Sequence, residues 1–182
     1  MCILRSIILL DLSLGIAFGE VLVPRSMKSI YHNHFRKEKT MSEQEVLKIA
    51  RETVEAFNTS DWERLRSSLA PDVVYDEVGT QRHMKGAGQV VESFQEWKKA
   101  GPDGIGTITK EVVSGNTVVL EVTWTATQNG PLVTPEGTIP PSGKPWKVEA
   151  AQVITVKEGK IKEVHQYFDT MTLLQQIGAT QK

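Results

Sequence analysis

The strongest constraint on the fold is a change, near residue 105, from helical spacing to strict alternation of apolar and polar side chains. Residues 107–113 and 117–127 alternate on either side of Gly115-Asn116, a pair typical of a hairpin turn. Residues 146–156 and 160–169 alternate in the same way around a second turn. Because successive side chains of a strand point to opposite faces, this pattern predicts two long hairpins that form a four-stranded antiparallel meander.

Helices are predicted ahead of the meander. Ser42 and Glu45 form a capping box, and apolar residues then recur at three- and four-residue steps to about Asn58. Ser60 and Glu63 repeat the box for a second, shorter helix.

A short strand, residues 72–77, and a third helix complete the prediction. This helix opens at residues 86–88 and ends at Gly101-Pro102. Three helices followed by a meander predict an α+β domain, in which a strongly curved, mostly antiparallel sheet wraps over the three N-terminal helices. Such a cone encloses an internal hydrophobic pocket suited to a small hydrophobic ligand.

Composition excludes some classes of function. The chain has 182 residues and a net charge of -1, but residues 1–40 carry six Lys and Arg against three acids, which leaves 15 against 19 in residues 41–182. A mildly acidic body predicts no nucleic-acid surface. Cys2 is the single cysteine, so the chain cannot form an internal disulfide.

Residues 1–40 are predicted to be an extension that precedes a domain at residues 41–182. Three interpretations are open: translation begins at Met41, the segment is a weak signal peptide, or it is a disordered tail. Arg5 and the apolar run after it favour a signal, whereas Asp11 interrupts that run. The run is too short for a membrane span. We expect a cytoplasmic protein, or a secreted one if residues 1–19 act as a signal.

The last predicted strand carries polar groups on one face. From residue 161 to residue 169 the odd-numbered side chains share one face, and the last three of them are His165, Tyr167 and Asp169. Counting back through the turn pairs Gln152 with His165, Ala150 with Tyr167 and Val148 with Asp169. Since the facing strand is mostly apolar, this register predicts that Asp169 faces the hydrophobic pocket, although aspartate here is equally suited to cap the helix that follows.

Motifs spread from Met41 to Gly178 resemble those of the SnoaL-like polyketide cyclases, which share the nuclear-transport-factor-2-like superfamily with ketosteroid isomerases. These motifs are Phe94-Gln-Glu-Trp97, Gly115-Asn-Thr-Val, Trp124-Thr-Ala-Thr-Gln128, Pro140-Pro-Ser-Gly-Lys144, and Gly159-Lys-Ile-Lys-Glu with Phe168-Asp169 and Leu174-Gln-Gln-Ile-Gly178. The resemblance implies a cystatin-like cone and a pocket that works without cofactor or metal. It also implies that Asp169 is the acid/base of an intramolecular aldol ring closure.

Two histidines of the family pattern are missing here. The strand motif that often reads Tyr-His-Asp-Pro in relatives is Tyr75-Asp76-Glu77-Val78, and Gly-Thr-His is Ala126-Thr127-Gln128. Asp76 and Glu77 instead supply carboxylates where a ketosteroid isomerase carries its base, and Glu77 matches that position better.

The predicted catalytic residues are therefore Asp169, Glu77 and Asp76. The predicted ligand contacts are His165, Tyr167, Tyr75, Phe94, Trp97, Trp124, Gln128 and Gln152. A lyase or isomerase acting on a small molecule is one hypothesis. A non-catalytic ligand-binding or dimerisation module is the other, because an outer sheet face with Val112, Val119, Val153, Val164 and Phe168 would suit a homodimer.

Overall fold

The computed structural model of the protein describes residues 41–134 and 137–180. The predicted extension, residues 1–40, and its three interpretations lie outside the described residues. None of the helices in the described ranges is both long enough and apolar enough to cross a membrane.

Five helices, a short 3-10 turn and eight strands follow one another along the described chain. The helices are α1 Glu43–Ala50, α2 Glu52–Thr59, α3 Trp62–Ser68, α4 Ala87–Ala100 and α5 Thr170–Ile177, and the 3-10 turn is Val78–Thr80. The strands are β1 Leu69–Glu77, β2 Arg82–Lys85, β3 Ile105–Ser114, β4 Thr117–Thr127, β5 Leu132–Thr134, β6 Gly137–Ile139, β7 Pro145–Lys157 and β8 Lys160–Phe168.

Six strands form one sheet in the order β2-β1-β8-β7-β4-β3, in which only the β1–β8 pairing is parallel. The predicted α+β class and the predicted meander β3-β4-β7-β8 are confirmed. The segment between β4 and β7, predicted to be a loop, contains the small hairpin β5–β6.

The helices differ from the prediction at two points, a break at Arg51 and the cap of the next helix. The first predicted helix consists of α1 and α2, which meet at Arg51. Ser60 does not cap the next helix, because it adopts a left-handed conformation, with φ of 56°, at the end of α2. Asp61 caps α3 instead and accepts a hydrogen bond from the Arg64 backbone nitrogen.

A β-bulge at Lys162 overturns the predicted register of β8. Val156 pairs with Ile161, as counting from the turn predicts, but Thr155 then pairs with Glu163 and leaves Lys162 as an extra residue. Beyond the bulge Gln152 therefore pairs with Gln166 and not with His165, and Ala150 pairs with Phe168 and not with Tyr167. Because the side-chain period of a strand is two, this one residue exchanges the inner and outer faces of the rest of β8.

Candidate active site

The inner face of the sheet and the helices line a pocket that opens to solvent and has a cavity volume of about 50 Å³. Its wall is mostly aromatic, and the rings pack edge to face, as in Phe57 on Trp124 with centroids 5.0 Å apart and Trp97 on Phe168 at 6.0 Å. The side chains that give the wall its character are Phe57, Tyr75, Glu77, Phe94, Trp97, Trp124, Trp146, Gln166, Phe168 and Leu173. The site is thus an apolar cavity with few polar groups.

Glu77 is the carboxylate in this wall. It is the last residue of β1, its side chain points to the inner face with Val73 and Tyr75, and it is 1% exposed. Its Oε1 accepts hydrogen bonds from Trp97 Nε1 at 2.9 Å and from Ser93 Oγ at 3.4 Å. These two donors lie four residues apart on α4, and therefore on one face of that helix.

The 3-10 turn after β1 supplies a third donor. Thr80 Oγ1 lies 2.9 Å from Glu77 Oε2, so each carboxylate oxygen has a partner. Burial in the apolar wall raises the pKa of Glu77, and the nearby charge of Arg82 and the hydrogen bonds from Thr80, Trp97 and Ser93 oppose that rise without cancelling it. Glu77 can therefore hold and release a proton at higher pH than an exposed glutamate.

A buried chain of amides and hydroxyls lies behind another part of the wall. Thr53 Oγ1 donates to Gln152 Oε1 at 2.8 Å, and Gln152 Nε2 donates to Gln166 Oε1 at 2.7 Å. The Tyr75 hydroxyl donates to the same Gln166 oxygen at 2.5 Å. Burial raises the pKa of Tyr75 well above its ordinary value. This chain fixes the position of Gln166, which lines the cavity together with Tyr75.

The prediction that Asp169 faces the pocket is wrong. Asp169 follows the last residue of β8, is exposed, and caps α5: its Oδ1 accepts from the Thr172 backbone nitrogen at 3.0 Å and its Oδ2 from the Thr172 hydroxyl. These hydrogen bonds lower the pKa of Asp169, which is the opposite of what an acid/base near neutral pH requires. Phe168 occupies the wall at this level of the strand.

Three further predicted site residues lie on the outer face of the sheet. Tyr167 is 47% exposed, and His165 contacts Asp76 at 3.3 Å and Glu163 at 3.1 Å. Asp76 also pairs with His83. Since Asp76 and Glu77 are neighbours in one strand, only one of them can face the cavity, and that residue is Glu77. Val164 and Phe168, predicted for the outer face, point inward.

The two glutamines predicted as ligand contacts serve the structure. Gln152 is fully buried in the chain behind the wall. Gln128 is 1% exposed and holds the connection between β4 and β7: its Nε2 donates to the carbonyls of Gly130 and Pro140, both at 3.1 Å, and its Oε1 accepts from the Ser142 nitrogen at 3.0 Å. Both N–H groups of its amide are therefore engaged by the backbone, and its 1% exposure places it away from the cavity wall.

The structure brings Tyr75, Phe94, Trp97 and Trp124 together in the wall, and their contact with a ligand stays a prediction. Sequence reasoning missed Gln166 and Phe168, the two inward residues beyond the bulge. The signal was present, because Lys162-Glu163 places two charged residues in succession and moves the apolar positions from odd to even numbers. Within the described ranges no three His, Cys, Asp or Glu side chains form a group that could hold a metal ion.

The α+β cone has the ketosteroid isomerase-like fold. Solved structures of other proteins have a similar fold. A protein from Jannaschia sp. CCS1 assigned as a SnoaL-like polyketide cyclase matches with a TM-score of 0.68 and 18% identity, over 76% of this chain and 95% of that one. TsrD from Streptomyces laurentii matches with a TM-score of 0.67 and 21% identity, over 77% and 99% of the two chains.

A third solved structure is more similar in sequence. IdmH from Streptomyces antibioticus, assigned as a polyketide cyclase, is 26% identical with a TM-score of 0.62, over 73% of this chain and 98% of that one. No curated protein matches. The family model for SnoaL-like polyketide cyclases matches residues 47–177, and the chain belongs to that family. Membership supports a small-molecule cyclase- or isomerase-like role.

Proposed function

We propose that the protein is a cofactor-free enzyme that moves a proton at a carbon next to a carbonyl group, with Glu77 as the acid/base. The observation that carries this proposal is a carboxylate of raised pKa, held by three donors in an aromatic cavity. A general base works best when its pKa lies near the working pH, and burial moves glutamate in that direction.

The chemistry needs no other reactant. The ionised Glu77 carboxylate takes a proton from the α-carbon of a hydrophobic ketone, and the electron pair of the broken C–H bond moves into the enolate. In an isomerisation, protonated Glu77 returns the proton to another carbon of the enolate. In a cyclisation, the enolate carbon attacks a second carbonyl of the same molecule, and the proton goes to the new alkoxide. Both courses restore Glu77 to its ionised form.

Hydrogen exchange tests the reaction without the natural substrate. With phenylacetone in D₂O, we expect the wild-type protein to accelerate deuterium uptake at the α-carbons, measured by mass spectrometry. Asp169→Ala is the matched control, since it removes a carboxylate that caps α5 outside the cavity, and we expect it to exchange at the wild-type rate. Loss of exchange in Asp169→Ala would return the acid/base role to Asp169.

The alternative is a binding module without catalysis. The observation that favours it is that the two oxygens of Glu77 already accept three hydrogen bonds, two of which tie β1 to α4. Binding of the ketone without any exchange above the buffer rate would establish this alternative.

We also propose that the protein is a homodimer formed by the outer face of the sheet. Val112, Val119 and Val153 lie side by side in one row across β3, β4 and β7, and Val112 is 51% exposed. An apolar row on an open sheet face favours contact with a second copy. We expect light scattering to give twice the chain mass for wild type and a monomer for Val112→Asp. A monomeric wild type would rule the dimer out.

A further inference from the structure

The indole N–H of Trp124 is a buried donor that has no acceptor among the described residues. Trp124 points inward from β4 into the cavity wall. Two other buried atoms in the described residues have no hydrogen-bond partner, Glu52 Oε2 and Thr170 Oγ1. Glu52 Oε2 nevertheless forms an ion pair with Arg64 Nε at 2.5 Å. Of these three atoms, the Trp124 nitrogen is the one whose residue lines the cavity. Buried donors in native proteins nearly always have a partner, so this one indicates a group that the protein alone does not supply.

The orientation of the ring is fixed by its neighbours. Gly106 lies opposite Trp124 in the β3–β4 pairing, and a Cβ at Gly106 would lie 2.6–2.9 Å from three carbons of the six-membered ring. Phe57 packs edge to face on the same indole. Those three carbons are on the side of the indole remote from Nε1, so the absence of a side chain at residue 106 makes room for the six-membered ring.

A second donor without a partner faces the same cavity. Gln166 Oε1 already accepts from the Tyr75 hydroxyl and from Gln152 Nε2. Both partners are buried, at 1% and 0% exposure, so they hold the amide in one orientation. The remaining group, Gln166 Nε2, makes no hydrogen bond within the part of the chain that the structure describes. Trp124 and Gln166 thus each carry an N–H donor without a partner among the described residues, and both side chains line the cavity that also contains the Glu77 carboxylate.

We propose that the Trp124 N–H anchors an acceptor oxygen of the bound ligand, that this oxygen is the carbonyl oxygen of the substrate, and that the Gln166 amide is the second donor for it. This inference rests on the proposed function only for the choice of a carbonyl. A carbonyl oxygen has two lone pairs and can accept from both donors. The negative charge that grows on this oxygen when Glu77 removes the α-proton strengthens both hydrogen bonds, which is how oriented donors stabilise an enolate.

Indole N–H resonances test the proposal directly. The chain has four tryptophans, so a ¹⁵N-labelled sample gives four indole signals, and Trp124→Phe identifies the one of interest. We compare phenylacetone with 2-methyl-3-phenylpropene, in which a CH₂ group replaces the carbonyl oxygen at nearly the same shape. A ligand of this size is expected to bind with a Kd in the millimolar range, which calls for titration to about 20 mM.

The expected result is a downfield shift of the Trp124 indole proton with the ketone and not with the alkene. Wild type should bind the ketone about threefold to tenfold more tightly than the alkene, and Trp124→Phe should abolish this ratio. Trp62 packs on Phe57 outside the cavity wall, so its signal is the internal reference and Trp62→Phe is the matched control that keeps the ratio.

Equal responses to ketone and alkene, or no movement of the Trp124 signal across the titration, would overturn the proposal. The shifts in wild type decide this even if Trp124→Phe fails to fold, because an intermolecular NOE from the ketone then assigns the signal. The outcome is separate from that of the exchange experiment. A shift of the Trp124 signal without deuterium uptake supports the Trp124 hydrogen bond and rejects Glu77 as the base. Deuterium uptake without the shift rejects the Trp124 hydrogen bond and leaves the base in place.

Discussion

Glu77→Gln is expected to lower the rate of α-proton exchange by about 10²–10⁴-fold, the usual contribution of a positioned general base. Glutamine has nearly the same shape but cannot take a proton. The measurement is deuterium uptake by phenylacetone in wild type and variant at equal saturation with ketone. A variant that exchanges as fast as wild type would show that Glu77 is not the base.

The same substitution should leave the protein folded. The glutamine oxygen can accept from Trp97 Nε1, and its amide can donate to Thr80 Oγ1, which is positioned 2.9 Å from the present carboxylate oxygen. Near-wild-type melting therefore separates loss of chemistry from loss of structure. Glu77→Leu is the contrasting variant: it leaves the Trp97 and Ser93 donors without an acceptor, and each buried group left unpaired costs about 1–3 kcal/mol of unfolding free energy.

The pH dependence of stability has a definite sign. The pKa of Glu77 is raised in the folded state, so the folded protein keeps this proton to higher pH than the unfolded chain does. Its favourable contribution is fully present below the ordinary glutamate pKa and is lost as the pH rises through the raised value. Relative to wild type, Glu77→Gln should become more stable as the pH increases across this window. The exchange rate of wild type should rise over the same window, because the base must be ionised.

Gly130→Ala is expected to lower the free energy of unfolding by about 2–5 kcal/mol, because the added methyl group would clash with backbone atoms of α4. A Cβ at Gly130 would lie well under 3.0 Å from the Lys99 carbonyl oxygen, at 2.9 Å from the Lys99 carbonyl carbon and at 3.3 Å from the Ala100 Cα. Neither side can rotate away. To relieve this clash, the backbone around residue 130 must move away from α4, which breaks the hydrogen bond from the Gly130 nitrogen to the Ala100 carbonyl.

Gly88→Ala is the matched control for this prediction. Gly88 lies in the first turn of the same helix, and its added Cβ meets no atom within 4 Å. Since alanine favours a helix over glycine by up to about 1 kcal/mol, this variant should be as stable as wild type or slightly more so. Urea unfolding of the three proteins measures the effect. Equal stability of Gly130→Ala and wild type would mean that the segment does not pack on α4 as described.

The periodicity of apolar residues and the helix-capping residues were sufficient to predict the helices and the sheet, but not the site. Alternation located β3, β4, β7 and β8, because a period of two reports burial on one face. The helix stripes located the elements that fill the cone. The faces of β8 were predicted wrongly because the register was counted from the turn as if the strand were regular, whereas the bulge at Lys162 shifts it by one residue.

Glu77 and Asp76 show the same limit on a smaller scale. Two adjacent acids in one strand were both reasonable candidates, and only the pairing of β1 with β8 decides that Glu77 is the inner one. Trp97 and Ser93 could not be identified as its donors from sequence, because they belong to a helix that contacts the strand only in the folded chain. Gln128 was predicted as a ligand contact from its place in the motif, and the three backbone groups that bind its amide could not be identified from the sequence.

The bulge at Lys162 also determines how this chain should be aligned with its relatives. An alignment that places a one-residue gap on the wrong side of Lys162 assigns His165 and Tyr167 to the columns that in fact hold Gln166 and Phe168. Such a shift would transfer solvent-facing residues into the list of cavity residues, and would do so for every sequence aligned to this one. Comparisons within the family should therefore be anchored on the inward residues Val164, Gln166 and Phe168.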